Sequence, residues 1–125
     1  MVKISVIIPA LNEEKYILHS LEGLKKQSFK DFEVIVCDGN STDRTREIAK
    51  KYAMVVIEKR KGMAAGRNGG ARVAKGDILV FLDADTKPSK DLLKVYSNAF
   101  TNGTVAATGP ILPLEKNLGA SLRAS

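Results

Sequence analysis

The sequence predicts an α/β fold with a mainly parallel central sheet flanked by helices, and three observations lead there. Five short runs rich in β-branched residues recur along the chain: Ile4 to Ile8, Glu33 to Cys37, Met54 to Glu58, Ile78 to Leu82 and Val105 to Thr108. The segments between them are long enough for helices, which is the alternation that builds a parallel sheet. The runs are also continuously apolar rather than alternating, as suits strands covered on both faces.

The covering helices follow from their own spacing. Ile17, Leu18, Leu21 and Leu24 repeat at helical period behind Asn12, a candidate cap, and Ile48, Ala49 and Tyr52 repeat behind Ser41 or Thr42. A third helix, small and rich in glycine and alanine, is expected over Ala64 to Ala74. A fourth is expected from Ser89 to Phe100, with Pro88 at its entry and Leu92, Leu93, Tyr96 and Phe100 on one side. After Gly109 the pattern changes, because Pro110 and Pro113 interrupt it. The alternation is not closed by Ser125, so a chain cut from a larger protein is expected.

Composition narrows the class. With 44% hydrophobic and 27% charged residues in 125, the chain reads as one soluble globular domain. No apolar run approaches the roughly 20 residues that a membrane-spanning helix needs. Pro9, Glu13 and Glu14 arrive before a signal-peptide core of about 7–15 apolar residues could form, so the start reads as mature and cytoplasmic. The single cysteine, Cys37, lies in an apolar run and reads as a small buried side chain. A net charge of +6 is compatible with nucleic acid, an acidic small molecule, an anionic membrane surface or no specific partner, and composition alone does not choose. Lys25, Lys26, Lys50, Lys51, Lys90 and Lys94 fall on polar helix faces without interleaved aromatics, which argues against a nucleic-acid platform. The run Lys59-Arg60-Lys61 reads either as a solvated loop or as one facing a phosphate.

In open parallel sheets, ligands sit beyond the carboxyl ends of the strands, where loops and helix amino-termini converge. The first strand delivers Pro9 to Glu14 there, the second Asp38 to Asp43, and the fourth Asp83-Ala84-Asp85-Thr86. Carboxylates thus arrive from three strands. Asp83 and Asp85 directly follow a buried run, a costly place for two charges unless something compensates. At i and i+2 of an extended chain both would face one hard divalent cation. Mg²⁺ or Mn²⁺ is expected over Zn²⁺, since cysteine and histidine clusters are lacking and the one histidine, His19, falls mid-helix. A metal on an acidic site implies an anionic ligand, most simply a diphosphate. Arg60, Lys61 and Arg67 flank the entrance Gly62-Met63-Ala64-Ala65-Gly66, where backbone N–H groups can approach an anion. The same glycines, with Gly69 and Gly70, equally suit close helix-sheet packing. Neither a dinucleotide G-x-G-x-x-G nor a P-loop follows the first strand.

Four ordered segments carry a resemblance: Ser5 to Glu14, Val34 to Thr45, Ala65 to Gly70, and Gly76 to Thr86. In order and spacing they resemble the family 2 glycosyltransferases of the GT-A (Rossmann-like) fold, up to about Gly109. The resemblance implies residues 1–109 as a donor-binding domain and 110–125 as the start of an acceptor-side region. It implies Pro9, Leu11, Glu13 and Asp38 as nucleoside contacts, with Asp38 bonding the base edge. Leu11 stands where the family commonly carries an aromatic. Asp83 becomes a ribose or metal ligand, Asp85 the direct metal ligand, and Arg67 a donor-site cation.

The reaction implied is metal-dependent, inverting transfer of a sugar from a UDP- or GDP-sugar to an acceptor. The acceptor is open between a lipid phosphate, a polysaccharide and a small molecule, and the first would bring the chain to the inner face of a membrane. The catalytic base is expected beyond Ser125, Glu115 being the only late carboxylate. The competing functions are a sugar nucleotidyltransferase and a non-catalytic nucleotide-sugar-binding module. The former would show a glycine- and arginine-rich loop after the first strand, which Pro9 to Glu14 is not.

Overall fold

The computed structural model describes residues 2–99 and 105–107. Strands and helices alternate through them: β1 (Ile4–Ala10), α1 (Ile17–Lys25), β2 (Phe32–Asp38), α2 (Thr45–Ala49), β3 (Met54–Ile57), α3 (Met63–Val73), β4 (Ile78–Phe81), α4 (Leu92–Ala99) and β5 (Val105–Ala107). The strands form one sheet in the order β3-β2-β1-β4-β5, every pairing parallel. The chain therefore winds outward from β1 to β3, then crosses back to β4 and out to β5. The direction reverses between β1 and β4, and a crevice opens at such a switch point.

β1 is central, and its two faces are used differently. Ile4, Val6 and Ile8 join the core formed with Ile17, Leu21, Leu24, Leu92, Leu93 and Tyr96 of α1 and α4. Ile7 and Pro9 face α3, whose glycines let the helix approach the sheet closely. A Cβ on Gly66 would lie 2.9 Å from Pro9 Cβ, one on Gly69 2.8 Å from Cys37 Sγ, and one on Gly70 2.4 Å from Ile7 Cγ2. Packing is thus the role of these three. Gly62 differs, since nothing lies within 4 Å and its φ of +104° is what requires glycine. Cys37 is buried and unpaired, as expected.

Several local expectations are corrected. The third run is continuous and apolar, yet β3 is an edge strand among the described residues, with Met54 47% and Ile57 49% exposed. Continuity of apolar residues does not distinguish an edge strand from a central one. On α1, Leu18 is exposed while Ser20 and Gly23 are buried, so the helix is rotated relative to its leucine pattern. Asn12 does not cap α1, whose N-cap residue is Tyr16, nor do Ser41 or Thr42 cap α2, whose N-cap residue is Arg44. The side chains of Asn12 and Ser41 bond across to each other's loop instead. The fourth helix starts at Leu92, three residues after Ser89. Phe100, Thr108, Glu115 and the whole 110–125 region lie outside the described residues.

Because Ile7 is fully buried, Gly70→Ala forces its side chain or α3 to move. Overpacking of this kind costs about 1–3 kcal/mol. Urea denaturation should show a lower midpoint with an unchanged slope; an unchanged midpoint would mean that α3 is free to lift off the sheet.

Candidate active site

The carboxyl ends of β1, β2 and β3 open into a cleft of about 680 Å³. Pro9, Ala10, Leu11 and Glu13 line one side, Cys37, Gly39 and Asn40 the floor, and Glu58 to Met63 with Gly66 the other side. The register sets this arrangement, since Ala10, Asp38 and Ile57 lie level across the three strands. Gly39 N–H donates to Ala10 O and Glu58 N–H to Asp38 O, extending the ladder into the cleft.

Asp38 ends β2 and is fully buried. Its Oδ2 accepts from the N–H groups of Asn40 at 3.1 Å and Ser41 at 2.9 Å, and Arg46 Nη1 lies 3.6 Å away. Arg46 is fixed in turn by donating to Ser41 O. Oδ1, by contrast, is buried with no hydrogen-bond partner. A buried acceptor left unsatisfied costs roughly 1–3 kcal/mol and calls for an explanation, a ligand donor being one. Arg46 was not singled out in the sequence, because nothing in a helix-forming arginine marks it as a counter-ion for a residue on the preceding strand.

The loops after β1 and β2 are bonded into one unit. Asn12, at φ +53°, accepts through Oδ1 from the N–H and hydroxyl of Thr42 and from Asp43 N–H, while its own N–H donates to Ser41 Oγ. Glu13 N–H donates to Thr45 Oγ1 at 2.7 Å, and Glu14 N–H to Asp43 Oδ2. Asp43 Oδ1 accepts from both the N–H and the hydroxyl of Thr45. These bonds hold Asp43 below the ordinary carboxylate range and fix the backbone on which Glu13 stands.

The fourth strand ends sooner than its apolar run. β4 stops at Phe81, Leu82 N–H adds a last bond to Ile7 O, and the chain turns at Ala84 and Asp85, with Thr86 N–H donating to Asp83 O. Asp83 and Asp85 therefore stand on a turn, and the same-side argument for an extended chain does not apply. Asp83 is half-buried and Asp85 exposed. They nevertheless belong with Glu13: its carboxyl is pushed above its ordinary value first by burial, then by Asp85, Asp43 and Asp83. Acids from the segments after β2 and β4 thus act through charge on Glu13, which follows β1.

The cations are distributed unevenly. Arg60 is held by Glu58 at 2.6 Å, so that side of the cleft presents Lys59 and Lys61 beside an internally paired arginine. Arg67 lies with its guanidinium carbon 5.6 Å from the centre of the Phe81 ring, two residues before Asp83 in the chain. Leu11 is 57% exposed and Met63 58%, two bare apolar side chains lining the cleft. Among the described residues no three His, Cys, Asp or Glu side chains form a metal site by themselves, and no helix is long and apolar enough to cross a membrane.

Comparison with known proteins places this geometry. Over 103 residues the chain is 39% identical to the poly(ribitol-phosphate) β-N-acetylglucosaminyltransferase TarS of Staphylococcus aureus, covering 75% of this chain and 18% of that one. The structure of TarS 1–349 in complex with UDP-GlcNAc matches with a TM-score of 0.68 at 35% identity, over 78% of this chain and 30% of that one. The mannosyltransferase PcManGT of Pyrobaculum calidifontis, in complex with GDP-Man and Mn²⁺, matches with a TM-score of 0.76 at 30% identity, over 87% and 35%. The UDP-Glc:α-D-GlcNAc-diphosphoundecaprenol β-1,3-glucosyltransferase WfaP of Escherichia coli is 34% identical over 139 residues, 96% of this chain and 55% of its own. The chain thus spans only part of the length of the curated relatives it matches, and the fold is the GT-A fold expected from the motifs. The model of "Glycosyl transferase family 2" matches residues 5–119, nearly the whole sequence, and the chain belongs to that family.

Proposed function

We propose that the chain forms the donor-binding part of a metal-dependent, inverting glycosyltransferase that uses a UDP- or GDP-sugar. One observation carries the reading: the fully buried Asp38 carboxylate keeps one oxygen without a partner between Cys37 and Gly39 in the chain, which line a cleft whose Glu13 is also acted on by the acids of the turn. Uracil and guanine both present N–H donors on their pairing edge, which is what an orphaned acceptor takes. The nucleoside then lies over Pro9, Leu11 and Gly39, with Asp38 bonding the base. The diphosphate reaches toward the acidic turn. That relatives of this chain are described with UDP-GlcNAc and with GDP-Man supports the donor class and leaves the base open.

The donor set at the turn suits Mg²⁺ or Mn²⁺. Two carboxylates on one turn, with Glu13 raised by burial and then by Asp85, Asp43 and Asp83, want a cation, yet they are too few to enclose one. Mg²⁺-type sites usually combine one or two carboxylates with substrate phosphates. Asp85 and Asp83 would hold the ion, and bound there it would stabilise charge on the departing diphosphate. Arg67 and Lys61 supply further positive charge for the donor. Inversion needs a base on the opposite face of the sugar, which we assign to the acceptor-side part of the protein beginning with residues 110–125. The acceptor is a lipid phosphate, a polysaccharide or a small molecule, and the reading puts the protein in the cytoplasm, at the membrane face if the acceptor is a lipid.

Three substitutions test the assignment. Asp38→Asn keeps the bonds to Asn40 and Ser41 through its remaining oxygen and puts an NH₂ where Oδ1 stood. Losing a bond to a charged group is worth about 1.5–3 kcal/mol, so affinity for UDP or GDP should fall roughly ten- to a hundredfold. Unaltered nucleotide affinity, measured calorimetrically, would remove Asp38 from the base site.

Asp85→Asn should reduce the gain in nucleotide affinity conferred by Mn²⁺ by tenfold or more, about 1.4 kcal/mol, and leave binding in EDTA nearly unchanged. The same gain in both proteins would exclude Asp85 as a ligand.

Glu13 predicts a pH dependence. An acid whose folded pKa is raised lowers stability above that pKa, and the penalty disappears as pH falls and the folded group takes up its proton. The metal-free Glu13→Gln protein should therefore melt higher than the unaltered one at about pH 7, with the gap closing by about pH 4. A gap that does not change with pH would mean that Glu13 feels no repulsion.

A further inference from the structure

The turn that carries Asp83 and Asp85 is held from behind by one stripe of α1. Beyond Leu82 the chain has left the sheet, and its side chains alternate between inside and outside: Ala84, Thr86 and Pro88 are buried, while Asp85 and Lys87 are exposed. Beneath them lies Ser20, a fully buried serine on a helix whose other core positions are apolar or glycine. Its hydroxyl donates to Ala84 O at 2.8 Å and also to Thr86 O. One proton is shared between the carbonyls of the two residues that flank Asp85.

The stripe continues at helical spacing. A Cβ on Gly23 would lie 2.8 Å from Pro88 Cδ, so the segment rests directly on the helix backbone there. Gln27, also fully buried, donates its amide to Ser89 O at 2.5 Å and to Gly23 O, and accepts from Leu93 N–H at 3.1 Å. Ser20 and Gly23 share one face of α1 and Gln27 follows just past its end, and together they fasten the chain from Ala84 to the start of α4.

Burying a hydroxyl among apolar side chains is unfavourable unless it is bonded. Here the bonds go to the carbonyl before the exposed aspartate and to the carbonyl of the residue after it. Ala84 O, in the plane before Asp85, is drawn toward Ser20, Thr86 N–H, in the plane after it, bonds to Asp83 O, and Thr86 O ties the next plane to Ser20, so the backbone around Asp85 is held while its side chain is exposed. We propose that Ser20, supported by Gly23 and Gln27, is a positioning residue that presents Asp85 to the divalent cation. It acts through the backbone and touches neither metal nor donor. The inference rests on the assignment of Asp85 above.

The test compares the full-length protein with its Ser20→Ala and Ser20→Cys variants in calorimetric titrations of UDP and of GDP, each in Mn²⁺ and in EDTA. The readout is the ratio of the two affinities. Ser20→Ala should reduce the Mn²⁺ enhancement by tenfold or more, with affinity in EDTA within twofold of the unaltered protein. Ser20→Cys, similar in volume but a weaker donor, should fall between, and it carries the comparison if the alanine variant does not fold. A lowered melting temperature with the enhancement intact would make Ser20 an ordinary packing residue and overturn the proposal. If Asp85→Asn abolishes the enhancement and Ser20→Ala does not, this inference alone fails. If the unaltered protein shows no enhancement with either nucleotide, the assignment of Asp85 fails first and this inference with it.

Discussion

Asp38 is placed where a carboxylate is hardest to keep, at the end of a central strand with no surface reaching water. Charge so placed must be met by hydrogen bonds and a counter-ion, and much of the surrounding structure meets that demand. Two backbone N–H groups reach Oδ2 because the chain turns sharply after β2, with Asn40 in the left-handed region at φ +71°. Arg46 reaches it because α2 begins only seven residues after the strand ends and is tied back to Ser41 O. The close packing of α3 on Cys37 and Pro9 shields the same strand end from the opposite face. All of this satisfies one oxygen. The other is left bare, beside the cleft lined by Cys37 and Gly39.

The network around Asn12 extends the constraint to the next strand. A loop after β1 and a loop after β2 would ordinarily move independently, and ordering both when a ligand arrives would subtract from affinity. Here Asn12, Ser41, Thr42, Asp43 and Thr45 bond the two loops before any ligand is considered. Glu13 therefore has a fixed position relative to Asp38. The apolar Leu11 on the same loop stays exposed at 57%, although a leucine free to fold inward would bury itself. The loop is held in a shape that serves the cleft rather than the core.

How much of this was legible in the sequence depended on the range of the interaction. The sheet, its helices and the delivery of Glu13, Asp38, Asp83 and Asp85 by the carboxyl ends of the strands could be read because strand-end geometry is a general property of parallel sheets, independent of side-chain detail. What escaped depended on contacts between segments far apart in the chain. Asn12 looks like a cap because asparagine before an apolar run usually is one; its bonds to residues 42 and 43 require the parallel register of β1 and β2. Leu18 looks like core, and nothing marks Ser20, until α1 meets the segment after β4 and is rotated to receive it. The turn at Ala84 was hidden because a run of apolar residues does not reveal where hydrogen bonding ends.

The charge pattern then separates two tasks that a single acidic cluster would confuse. Arg46 compensates Asp38, so that carboxylate can serve as a hydrogen-bond acceptor without attracting a metal. The side chains that act on Glu13 through charge are all acids, and the repulsion among them falls only when a cation or proton arrives. Arg67, the cation one helix away, is engaged with the face of Phe81, an arrangement that retains its charge while directing it along the end of β4. Lys59 and Lys61 line the same cleft as Glu13, so positive and negative groups share its wall. A ligand neutral at both ends would gain little from this layout. The proposed donor, with a planar N–H donor at one end and a metal-bound diphosphate at the other, would meet each separated charge in turn, which is what ties the two acidic sites together in that reading.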